Sequence, residues 1–146
     1  MKKKISTYGR DLIKTSYGIN EDIVENRAIA LLTYIHPKDG VSWGADGSLT
    51  YKEIKTQIEK KNGDFYCAFF KCPGNTSEPL STILKTAKKS KLKLRLRPLP
   101  ELSTVGFYLV EVIYEWPNRP KDDSFQNPYY YLGPDHKWYL QRPFIE

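Results

Sequence analysis

The sequence predicts a single α+β domain, an antiparallel sheet of about four or five strands with two or three helices on one face. Three observations carry this expectation. The stretch Lys91-Leu92-Lys93-Leu94-Arg95-Leu96-Arg97 alternates a cation with a leucine at every step. Only a strand turns a period of two into one apolar face and one basic face. Two segments, residues 21–35 and 77–89, space their apolar residues as helices do. After them, the apolar run Val105–Trp116 and the aromatic segments flanking Gly133-Pro134 follow one another through short connections, which favours antiparallel pairing.

Taken in order, residues 1–20 are polar and carry Gly9 and Gly18, so they read as an N-terminal arm or edge segment, with residues 21–146 as the domain. Asn20 can cap a first helix opening on Glu21 and Asp22, with Val24, Ala28, Leu31 and Ile35 on one stripe and Pro37 ending it. Thr50-Tyr51-Lys52-Glu53 is a capping box for a second helix to about Lys61, with Ile54, Ile58 and Tyr51 lining its buried side. After the turn at Asn62-Gly63, the aromatic run Asp64–Phe70 has the composition of a strand. Ser77 can cap a third helix through Lys89, with Pro79 in its first turn and Leu80, Ile83, Leu84 and Ala87 buried. Tyr129–Leu132 and Lys137–Leu140 then form a hairpin around Gly133-Pro134-Asp135-His136.

Composition narrows the function. The chain has 146 residues, 27% of them charged and 40% hydrophobic, within the range of one folded domain. A net charge of +6 favours an anionic partner. No apolar run of signal-peptide or membrane-spanning length occurs, so a cytoplasmic protein with no membrane association is expected. Cys67 and Cys72, five apart in an extended run, would lie about 16 Å apart on opposite faces, too far to bridge, and read as reduced thiols.

Chemistry-bearing motifs are scarce. Asp46-Gly47-Ser48 with Glu53 matches the second half of a calcium loop, but Ser42 and Gly44 stand where the first ligating acids belong. His36 and His136 are the only histidines, too few and too far apart in sequence for a zinc site. No metal or cofactor is therefore expected. The two imidazoles could act as acid and base of a metal-independent ribonuclease if the fold brought them together.

The leading expectation rests on the basic stretch. Seven cations fall within residues 85–97. If the ladder pairs with Val105–Trp116 so that Arg95 meets Glu111 and Lys91 meets Glu115, half of it is neutralised, leaving Lys93 and Arg97 free with the helix lysines. A polyanion, either nucleic acid or a nucleotide, would then bind Lys88, Lys89, Lys91, Lys93, Arg95 and Arg97, with Tyr129, Tyr131 and Trp138 as stacking platforms. The alternative is a stoichiometric protein-binding module, such as an inhibitor or immunity-type protein of a mobile element, using the same surface against an acidic protein. A free hairpin edge could also pair two copies into a homodimer.

Overall fold

The computed structural model describes residues 2–43, 47–74, 77–99, 108–122 and 124–145. It is a mixed α+β domain in the order α1 (Lys2–Val24), a 3-10 helix (Ala28–Tyr34), β1 (Val41–Ser42), β2 (Ser48–Leu49), α2 (Tyr51–Lys60), α3 (Asp64–Phe69), α4 (Leu80–Lys89), β3 (Lys93–Pro98), β4 (Tyr108–Glu115), β5 (Tyr129–Leu132) and β6 (Trp138–Arg142). β3 to β6 form one antiparallel sheet in sequence order, and β1 and β2 a short second ribbon.

The N-terminal segment departs from expectation. Residues 2–20 are not an arm but the body of α1, and the helix expected from Glu21 to Ile35 is instead the last turn of α1 followed by a 3-10 segment. Leu12, Ile19 and Ile23 recur at helical spacing and are fully buried. Ser16 continues their stripe and donates its hydroxyl to the Leu12 carbonyl, which satisfies it inside the core. Of the two glycines that punctuate the segment, Gly18 marks a close approach, whereas Gly9 leaves room for an ordinary contact. A Cβ on Gly18 would sit 3.0 Å from the Tyr34 hydroxyl, and one on Gly9 would sit 3.4 Å from Leu96 Cδ1.

The capping box at α2 forms as expected, with the Glu53 amide donating to Thr50 Oγ1 and the Thr50 amide donating to Glu53 Oε1. The next segment does not. Asp64–Phe69 is helical because Gln57 reaches across from α2, and its Oε1 accepts the amides of Phe65 and Tyr66 at 2.8 and 3.1 Å. Gly63 makes that approach possible at φ +98°, where a Cβ would strike the Gln57 side chain. Capping and burial of Phe65 and Phe69 outweigh the β preference of the aromatic run. The helix also brings the Cys67 and Cys72 Cα atoms to 5.4 Å, and the two residues form a disulfide. The expectation of two separate thiols is corrected, because it took extended spacing for a segment that coils.

Helix α4 buries Leu80, Ile83, Leu84 and Ala87 as its periodicity predicts. It starts two residues later than the Ser77 cap would require, with Pro79 at the cap position and no side-chain capping bond. The core lies between the helices and one face of the large sheet, where Val110, Val112, Tyr114, Tyr130, Trp138 and Leu140 meet α1 and α4 residues. Leu92, Leu94 and Leu96 pack against its margin and remain partly exposed, as befits the edge position of β3.

Candidate functional site

The basic stretch folds in two parts. Lys91 is not in the strand but in the turn after α4, at φ +61°, and β3 begins at Lys93. This sets the register two residues from the one expected. Lys93 lies opposite Glu115, Arg95 opposite Ile113 and Arg97 opposite Glu111. A two-residue slip preserves which face each side chain takes, so the basic face survives while its pairing changes.

Both arginines are consequently engaged. Arg95 Nε lies 3.0 Å from Glu115 Oε1, between two well-exposed side chains. Arg97, expected to be free, places Nη2 and Nε 2.7 and 2.8 Å from Glu111 Oε1. Glu111 is 9% exposed, and its second oxygen accepts from Asn127 Nδ2 at 2.9 Å. Asn127 Oδ1 in turn accepts from the Tyr114 amide and from Arg119, whose guanidinium lies 4.9 Å from the centre of the Phe125 ring. Burial lowers the Arg119 pKa from its ordinary value. The chain Arg97–Glu111–Asn127–Arg119 fastens the loop before β5 to the open face of the sheet. Sequence reasoning missed Asn127 and Arg119, which lie in a polar loop without periodicity.

At the other end of the stretch, Lys88 Nζ lies 2.6 Å from Glu21 Oε2 on α1. Lys85, Lys89, Lys91 and Lys93 are exposed, and among the described residues they form no ion pair. The uncompensated charge therefore gathers at the corner where α4 turns into β3, not along the whole ladder.

The expected stacking residues take other roles. Trp138 is 5% exposed and donates its indole N–H to the Tyr8 carbonyl at 2.9 Å. Tyr131 is 4% exposed and donates to Asp39 Oδ2 at 2.9 Å. Tyr129 is half-buried beneath the Arg142 guanidinium, 4.4 Å from its ring centre. None of the three presents an open ring face beside the lysines, because the hairpin uses its aromatics to fill space on both sides of the sheet.

The two histidines sit on separate partners. The His36 ring meets the Tyr139 ring edge-on at 4.9 Å, and its Nδ1 accepts the Lys38 amide. His136 stacks on Tyr8 at 5.8 Å, its Nδ1 3.1 Å from the Tyr8 hydroxyl. Nearby, Tyr139 donates to Asp135 at 2.6 Å, which raises the tyrosine pKa and lowers that of the aspartate. Burial, reinforced by Asp39, raises the Tyr131 pKa. These bonds engage both imidazoles without joining them, and the one lysine bonded to either among the described residues, Lys38, reaches His36 through its backbone amide. Asp46, from the half-matched calcium loop, lies outside the described residues. Among the described residues no three His, Cys, Asp or Glu side chains group as metal ligands, and no helix is long and apolar enough to cross a membrane.

No family model, curated protein or solved structure matches this chain. The functional reading therefore rests on the site's own geometry.

Proposed function

We propose that this chain is a non-enzymatic binding protein that takes an acidic segment of a partner protein at the α4–β3 corner. The observation that carries the reading is the placement beside an edge strand of Lys85, Lys89, Lys91 and Lys93, all exposed and outside any ion pair among the described residues. Four exposed cations that form no ion pair among the described residues raise the local potential and speed encounter with an anionic surface. A partner's carboxylates would supply the counter-charges that Glu21, Glu111 and Glu115 supply to Lys88, Arg97 and Arg95.

Nucleic acid is the second reading, favoured by the same lysines. It ranks lower because the aromatics expected to stack on bases are buried or covered, and single-strand binding draws much of its affinity from such platforms. The two readings are separated by titrating the chain with a polyglutamate peptide and with a single-stranded oligonucleotide across a salt series. The acidic-protein reading expects peptide binding that disappears when the four lysines become threonine. Oligonucleotide binding with a log–log salt slope of about −3, lost in the same variant, would put the nucleic-acid reading in its place.

A further inference from the structure

The edge of β3 offers more than charge. The Leu99 amide donates to the Leu109 carbonyl, and the Val112 amide donates away from β3 to the Pro128 carbonyl. In an antiparallel ladder the residues alternate between bonding their partner strand and facing away from it. By that alternation Lys93, Arg95 and Arg97 bond β4, while the backbone groups of Leu94 and Leu96 point out from the sheet. Among the described residues no strand pairs with that outer side. Two cavities flank the edge on its leucine face, both walled by α1, the first apolar and the second with a polar side. One, of about 310 Å³, is lined by Gly9, Leu96, Pro98, Tyr108 and Trp138. The other, of about 220 Å³, sets Tyr17, Val24, Leu84 and Leu92 beside Asn20 and the Glu21–Lys88 ion pair. Leu92 and Leu96 are four residues apart, which is about 13 Å along an extended chain.

Building on the acidic-partner reading, we propose that the partner segment binds as an added β-strand along β3, alternating acidic with apolar residues. Its acids meet Lys91 and Lys93, the members of the row that form no ion pair among the described residues, its apolar side chains enter the two cavities beside Leu92 and Leu96, and its backbone bonds Leu94 and Leu96. Edge addition takes affinity from main-chain bonds and specificity from alternate side chains. Charge selects the occupant, because a second copy of this chain would set one cationic row against another.

The probe is a fluorescent peptide Glu-Val-Glu-Val-Glu-Val-Glu, compared by anisotropy with a peptide of the same composition in which the four glutamates precede the valines. Two further peptides carry N-methyl groups on the glutamate amides or on the valine amides. The alternating peptide is expected to bind about tenfold tighter than the block peptide, and one N-methylated series should lose binding while the other keeps it. Gly9→Leu, which fills the cavity beside Leu96 from a helical position, should weaken the alternating peptide about tenfold without lowering thermal stability. Equal binding of alternating and block peptides, or equal tolerance of both methylation patterns, would overturn strand addition while leaving the acidic-partner reading standing. Failure of every peptide, with oligonucleotide binding intact, would remove both.

Discussion

The two faces of the large sheet are built from one strand in opposite ways. Toward the helices, β4 presents Val110, Val112 and Tyr114, which are held by burial. Toward the open side it presents Glu111 and Glu115, which hold Arg97 and Arg95. The covered face gains from excluding water over a large area, and the other face adds to a smaller buried cluster of Leu99, Leu109, Tyr131 and Tyr139 the completed bonds of a few polar groups. A charged strand face is thus first a structural device, and only the cations it leaves unpaired are available to a partner.

That contrast can be tested from its largest expected effect downward. Tyr114→Ala, at a fully buried ring against Phe125 and Phe144, should cost about 3–5 kcal/mol, read from the urea midpoint at constant slope. Next comes alkaline pH, which acts on both faces together. The hydroxyls of Tyr34, Tyr114, Tyr130 and Tyr131 all have raised pKa values, chiefly through burial. A raised folded-state value means the native protein holds its protons more tightly than the unfolded chain does. The resulting stability is fully present below the unfolded tyrosine value of about 10 and falls as pH rises past it. Urea midpoints at neutral pH and above that value, with tyrosinate absorbance followed in parallel, should show unfolding and ionisation together.

On the open face, Glu111→Ala leaves Arg97 and Asn127 without their shared carboxylate and should cost about 1–3 kcal/mol. The smallest effect is expected at Arg95→Ala. Both members of its ion pair are more than half exposed, and the loss should stay under about 1 kcal/mol. If Arg95→Ala proved as costly as Glu111→Ala, the distinction between a fastening network and a solvated pair would fail.

Much of the fold was legible because periodicity and caps act locally. The buried stripe of α4, the box at Thr50 and Glu53, and the alternation of β3 each follow from residues within a few positions of one another. What was not legible depended on contacts from afar. Gln57 turns an aromatic run into a helix, and Tyr34 explains why a glycine stands at position 18 inside α1. The basic corner could be seen as a run of charge, but its division into paired and unpaired members depends on a register set by where Lys91 turns the chain. The cavities walled by α1 could not be anticipated, since residues 2–20 gave no sign of lying against the strand.

Lys91 also has a consequence for how such a protein adapts. Its backbone takes a left-handed conformation that glycine adopts without strain and a lysine adopts only at some energetic cost. Lys91→Gly would relax the chain and delete a cation in one step, so the same change should leave the fold at least as stable and the binding corner poorer. Selection for stability alone would move this position toward glycine, whereas selection for recognition would hold it at lysine.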